Sequence, residues 1–381
     1  MVDLHSQYLK IKNEVDSGIA SVIESSSFVK GDKVAEFQRH LETYLGVKHV
    51  IPVANGTDAL QIALMTLGLR PGDEVITPTF TFIATAEVVA LLGLIPVLVD
   101  VDEDTFCIDI QALEKAITPK TKAIVPVHLF GQNADMESIM KIAKKHNLYV
   151  VEDACQSMGS RYIFGNGNRQ HSGTIGDIGC TSFFPSKNLG CYGDGGALFT
   201  NNSELAEHIS IIANHGMKVR YHHDAIGVNS RLDSIQAAVL DAKLPHLEEY
   251  IANRQRAAAY YNKRFACNSS IKTPIVASYS THSFHQYTLR LEGIDRKKLI
   301  DEMARKGIPM MIYYPIPIHL QTAYKNLSYK QYNLPIAEKL SCTVCSLPMH
   351  TELDDEQLDY IATNFLNIIS HCKSNQFNIN H

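Results

Sequence analysis

Over roughly its first 240 residues the chain alternates between two textures, and that alternation limits the folds open to it. Short apolar runs stand at 74–77, 96–101, 123–127, 149–152 and 181–184, most of them β-branched or aromatic. Helical patterns lie between several of them. Runs without polar alternation suit strands buried on both faces, as in a mainly parallel sheet covered by helices. Residues 7–24 and 33–45 read as helices, and Gly46 fits a helix stop. Leu60, Ile62, Ala63, Leu64 and Leu67 form a helical stripe over 57–67.

After a long helical stretch at 234–265 the texture changes. Residues 285–291 and 309–314 read as strands around a helix at 296–306, and a helix at 355–370 follows. The expected organisation is a large α/β domain over 1–245, N-terminal helix included, and a small α+β domain over 246–381. Composition agrees: 45% of the 381 residues are hydrophobic and 20% charged, which excludes a disordered chain or a fibre. A net charge of −5 leaves no global footprint for nucleic acid or an anionic membrane. The apolar stretch 84–98 is interrupted by Glu87 and Gly93 and falls short of the ~20 residues a membrane helix needs. The amphipathic, charged N-terminus does not read as a signal peptide. Cys342 and Cys345 form a lone C-x-x-C, so no metal site is expected and the eight cysteines read as reduced, cytoplasmic thiols.

There is no Walker A loop and no H-E-x-x-H, and Gly165-Asn166-Gly167 lacks the third glycine of a dinucleotide fingerprint. Three segments carry the chemistry: PVANGTDAL at 52–60, VVEDACQS at 150–157 and TSFFPSKNLGCYGDGGA at 181–197. Taken singly they read as a turn with a helix cap, a strand-end aspartate and a lysine beside a Gly-rich turn. Together they suit one ligand. Gly56 and Thr57 open a helix whose free N–H groups can hold a phosphate. Asp153 ends a buried strand, the usual place for ligands in open α/β sheets. Lys187 follows another strand. A phosphate cradle, a buried carboxylate and a lysine are what pyridoxal 5′-phosphate (PLP) requires.

The ordered series N-G-T-D-A-L, T-P-T-F-T-F-I-A-T, E-D-A-C-Q-S, S-F-F-P-S-K and G-x-N-x-R-L-D-x-x-Q-A-A resembles the fold-type I, aspartate aminotransferase-like PLP enzymes. Within them it resembles the DegT/DnrJ/EryC1/StrS sugar-nucleotide aminotransferases, over essentially the whole chain. S-F-F-P-S-K-N-L-G-C-Y-G-D-G-G-A and R-Y-H-H-x-x-x-G-V-N-S-R-L-D are similar to the branch that aminates UDP-2-acetamido-2-deoxy-3-oxo-glucuronate for surface polysaccharides such as lipopolysaccharide O-antigen. The resemblance implies Lys187 as the Schiff-base lysine and general acid/base. It implies Asp153 at the pyridinium nitrogen, Gln156 at the phenolic oxygen and Phe82 stacked on the ring. Gly56, Thr57 and Ser182 would hold the phosphate. Asn229 would reach the phosphate in a neighbouring subunit, so a homodimer with shared active sites is implied. Relatives that dehydrate sugars carry His at the lysine position; Lys187 favours amino transfer. Many relatives carry His before Tyr314, where this chain has Tyr313.

The expected substrates are glutamate and a keto sugar nucleotide, in a two-stage cycle. The stretch 215–231 holds Lys218, Arg220, Arg231 and three histidines against one acid, Asp224. It reads either as a solvated loop or as a basic loop for a nucleotide diphosphate or sugar carboxylate. Arg231 is the candidate for a carboxylate, with Tyr314 and His319 as further sugar contacts or as packing residues. Alternatives are 4- or 3-amination of an NDP-4-keto- or 3-keto-6-deoxyhexose, a PLP-dependent sugar dehydratase, and a non-catalytic ligand-binding homologue. Cys155, Cys180 and Cys191 read as small hydrophobes. Met303, Met310 and Met311 read as core, and His171 as part of a surface hairpin.

Overall fold

A computed structural model describes residues 1–325 and 333–373. The first nine strands are β1 His49–Val53, β2 Glu74–Pro78, β3 Ile95–Val99, β4 Thr121–Ile124, β5 Tyr149–Asp153, β6 Arg161–Ile163, β7 Arg169–His171, β8 Ile178–Ser182 and β9 Gly196–Thr200. Seven of them form one sheet in the order β1-β9-β8-β5-β4-β2-β3. The five from β8 to β3 run parallel, while β9 is antiparallel to both β8 and β1. The sequence runs found the parallel strands because burial on both faces leaves nearly continuous apolar stretches. They missed β1, whose five residues include Pro52 and of which only Val50 and Val53 are buried. Proline survives there because β1 is an edge strand. β6 and β7 pair as the expected hairpin around His171.

The helix Gly56–Thr66 packs beneath the sheet through Leu60, Ile62 and Ala63, against Val75, Val151, Cys180 and Leu198. The long helical stretch is broken. Ser234–Lys243 is followed by a single tight turn, Leu244–His246, and then by Leu247–Phe265. Pro245 lies in that turn, where its missing N–H and fixed φ interrupt a helix. Beyond the hairpin β10 Met217–Val219 and β11 His222–His223, a second sheet joins β12 Ile271–Lys272, β13 Tyr287–Leu291 and β14 Val344–Leu347. The stretch 309–314, expected as a strand, makes one bridge, Met311 to Ser346; β14 takes the place beside β13 instead. Met303 and Met310 are core, whereas Met311 is exposed.

Packing crosses the turn at 245. Ala337, Leu340 and Val344 join Phe80, Val101, Phe106 and Phe130 in one cluster, and Gln7 Nε2 donates to Thr351 Oγ1 at 3.2 Å. One polar knot stiffens the sheet end that carries Asp153. The fully buried Glu152 carboxylate faces His128 Nε2 at 2.8 Å and accepts from the N–H groups of Gly173, Ile175 and Gly176 at 3.0, 2.6 and 2.6 Å. Every oxygen lone pair is used. Glu152→Gln turns an NH2 toward these donors, and the thermal unfolding midpoint is expected to fall with a loss of ~1–3 kcal/mol. An unchanged midpoint would show that the knot contributes nothing.

Candidate active site

The helix start after β1, the end of β5 and the turn after β8 converge on a cavity of about 490 Å³. A larger cleft of about 700 Å³ lies at the opposite strand ends, around Arg70, Thr118 and Tyr149, and contains none of the expected site residues. The cavity walls include Gly56, Thr57 and Ser182 on one side and Asp153, Gln156, Lys187, Phe82 and Tyr314 on the others.

Asn55 builds the cradle. It is extended, and its side chain accepts from the Asp58 N–H at 2.8 Å, which caps the helix. The N–H groups of the first turn otherwise have no helical partner, and the positive dipole end adds to their pull on an anion. A Cβ on Gly56 would stand 2.7 Å from Ser182 Cβ and 2.9 Å from Cys155 Sγ, so only glycine lets the helix start approach this closely. Ser182 Oγ accepts from the Phe184 N–H at 3.2 Å, leaving its own proton free to donate. Gly56→Ala must push the cradle apart. It is expected to weaken PLP binding at least ~10-fold, about 1.4 kcal/mol, in an absorbance titration. Undiminished affinity would remove Gly56 from the cradle.

Asp153 is buried at the end of β5. Its Oδ2 accepts from Thr85 Oγ1 at 2.8 Å and its Oδ1 from the Cys155 N–H at 3.2 Å. The sequence reading missed Thr85, although it lies three residues after Phe82 in the same T-F-T-F-I-A-T segment. Gln156 Oε1 accepts from the Phe130 N–H at 3.0 Å, and its Nε2 donates to Tyr314 Oη at 2.9 Å. Tyr314 lines the cavity beside Gln156 and accepts the hydrogen bond of its amide. The Phe82 ring is 54% exposed, 6.3 Å from the Tyr314 ring, and leaves a face open to a planar ligand.

Lys187 ends the turn after β8, and its N–H donates to the Phe184 carbonyl. Its Nζ makes no hydrogen bond among the described residues. Burial lowers the amine below its ordinary ionisation, partly opposed by Cys155 and Asp153. A neutral amine is the form that can act as a base. Burial pushes the Cys155 thiol well up, as does Asp153 beside it, which suits a packing role.

Asn229, Arg231 and His319 do not line this cavity. His319 is buried, with Nδ1 at 2.8 Å from Thr79 Oγ1 and Nε2 at 3.2 Å from Glu338 Oε1, so it is tied into the fold. Arg231 lines a separate cavity of about 280 Å³ with Lys30 and Asn214. Asn229 is exposed and forms a bridge to Asn214. Between them, Ser230 Oγ accepts from the Ala54 N–H at 3.0 Å, so this segment lies behind the cradle. No group of His, Cys, Asp and Glu among the described residues could hold a metal ion.

The cavity fits PLP. It offers a cradle that a Cβ would fill, a buried carboxylate at a strand end, an open aromatic face and an amine without a hydrogen-bond partner. Bound there, PLP supplies an electron sink for amino-group chemistry. With the mainly parallel sheet, these features define a fold-type I PLP-dependent aminotransferase. The chain belongs to the DegT/DnrJ/EryC1/StrS aminotransferase family, which matches residues 9–366. The UDP-2-acetamido-2-deoxy-3-oxo-D-glucuronate aminotransferase of Pseudomonas aeruginosa is 47% identical, covering 96% of this chain and 99% of its own. A UDP-N-acetyl-3-dehydro-α-D-glucosamine 3-aminotransferase of Acidithiobacillus ferrooxidans is 44% identical, over 95% and 96%. The solved structure of a family member from Brucella abortus has a TM-score of 0.91 and 42% identity, over 97% and 98%. Other relatives are named as dTDP-sugar and GDP-sugar enzymes. Solved relatives include PLP and PMP forms.

Proposed function

We propose that this aminotransferase moves an amino group from glutamate to the 3-keto position of UDP-linked 2-acetamido-2-deoxy-glucuronate, for a surface polysaccharide of the O-antigen or lipopolysaccharide kind. The observation that carries the reading is the 47% identity, over nearly the whole length, to the Pseudomonas aeruginosa enzyme named for that substrate. The neutral Lys187 Nζ takes the proton from the donor's α-carbon and returns one to the sugar carbon in the second stage. Asp153 would pair with the cofactor's pyridine ring when it is bound, and Thr85 holds Asp153 in place.

Arg231 is the candidate for the sugar carboxylate, since a guanidinium binds a carboxylate bidentately. It lies outside its own chain's cavity, as does Asn229. In a homodimer the two would complete the neighbour's site, together with the exposed hairpin of β10 and β11. No helix among the described residues is long and apolar enough to cross a membrane. A cytoplasmic place of action fits nucleotide-sugar and glutamate substrates.

The test supplies purified protein with glutamate and either the 3-keto uronate or a 4-keto-6-deoxyhexose nucleotide, with product masses read out. Amination of the uronate alone is the expected result. Turnover of only the 4-keto sugar would overturn the substrate, and a deoxygenated product without glutamate use would revive dehydration.

A further inference from the structure

His285 also lines the cavity that holds Lys187, and no role has yet fallen to it. It is buried, and its Nδ1 is enclosed without a hydrogen-bond partner. Nε2 makes no hydrogen bond among the described residues either, so it is the ring nitrogen left to the cavity. Buried polar groups are nearly always paired, so an unpaired imidazole in a cavity wall calls for a ligand or a mobile partner.

The backbone around His285 is held from several sides. The Ser283 N–H donates to the Gly131 carbonyl at 2.9 Å, and the Gln286 N–H donates to the Phe130 carbonyl at 3.3 Å. Arg254, buried, donates from Nη1 to the carbonyls of Phe284 and His285 at 3.1 and 3.4 Å. Asn188, the residue after Lys187, donates from Nδ2 to the Ser283 carbonyl at 3.5 Å. The lysine turn and the His285 segment are thus tied to each other. Phe284 adopts φ +46°, a left-handed conformation that a bulky residue rarely takes, directly before His285.

We propose that His285 is a positioning residue for the lysine, its Nε2 accepting a hydrogen bond from the Lys187 amine whenever that amine is free. Lys187 carries N–H donors without an acceptor, and the neutral His285 ring, with its proton on Nδ1, offers Nε2 as an acceptor in the same cavity. One N–H directed at the imidazole would restrict the rotation of the amine. Burial, then the charges of Lys187 and Arg254, hold the ring far below its ordinary ionisation, so it accepts a hydrogen bond without taking the proton. The other titratable groups facing Lys187 in the cavity are Asp153, Cys155, Asp194, Tyr313 and Tyr314. The inference rests on amino transfer by this family and not on the sugar proposed above.

The test uses the protein loaded with pyridoxamine phosphate, in which the Lys187 amine is free. Acetylation of Lys187 by acetic anhydride is followed against pH by peptide mass spectrometry, for the parent, His285→Leu and His285→Asn. An acceptor stabilises the ammonium more than the amine. Its loss in His285→Leu is therefore expected to move the midpoint down by about one pH unit, a tenfold weaker hold on the proton. His285→Asn keeps an acceptor and is expected to stay near the parent. A midpoint that is unchanged in His285→Leu, that rises, or that moves equally in both variants overturns the proposal. Loss of the cofactor in both variants also overturns it, because His285 would then belong to the cofactor's own hold. If His285→Leu does not fold, His285→Met carries the same comparison. No sugar enters this assay, so a wrong substrate assignment leaves its outcome unaffected.

Discussion

Lys187→Ala is expected to leave a folded, colourless protein that transfers amino groups at least ~10³-fold more slowly, within the range lost when a positioned acid–base group is removed. The fold should survive because the Lys187 Nζ makes no hydrogen bond among the described residues. The backbone N–H of the residue keeps its bond to the Phe184 carbonyl. Removing the side chain even relieves the desolvation that depresses its ionisation. The loss is then chemical: no amine remains to join the cofactor covalently or to move the α-proton. Borohydride reduction followed by mass spectrometry checks the first, and a glutamate half-reaction checks the second. Cofactor still fixed to the chain after reduction, or turnover near the parent's, would refute the lysine assignment.

Asp153→Asn is expected to lower kcat by ~10²–10³-fold with little change in KM, the size of effect seen when one preorganised electrostatic contact to the reacting system is lost. The amide has nearly the same shape, and the segment stays in place because Asp153 is tied by backbone as well. Its N–H donates to the Pro126 carbonyl, and its own carbonyl accepts from the His128 N–H. What disappears is a buried negative charge held by the Thr85 hydroxyl and the Cys155 N–H. On the role proposed for Asp153, a bound cofactor's ring would then lack its charged partner. Matching thermal midpoints with full activity would show that the charge is not used.

The parallel strands, the lysine, the strand-end aspartate and the helix-start cradle are all legible in the sequence, and the last three lie together in one cavity. Each rests on a short-range signal: uninterrupted burial, an N-cap three residues before its bonded N–H, or a glycine where a Cβ has no room. His319 and Tyr314 were read alike, as neighbours in one segment. Their surroundings separate them. Tyr314 meets Gln156, 158 positions earlier in the chain, while His319 meets Thr79, 240 positions earlier. The 309–314 run has strand-like residues, yet β14 holds the ladder beside β13.

What the sequence alone determined is therefore local: most of the parallel strands and helices, and which residue types stand at their ends. The tertiary structure decided which of those ends meet. It put Thr85 on Asp153, joined Gln156 to Tyr314, placed His285 in the wall with Lys187, and kept Arg231 and Asn229 outside their own chain's cavity. The reason is physical. Periodicity and capping act over about one turn or one strand, whereas a partner tens or hundreds of residues away depends on strand order and packing that no local pattern encodes.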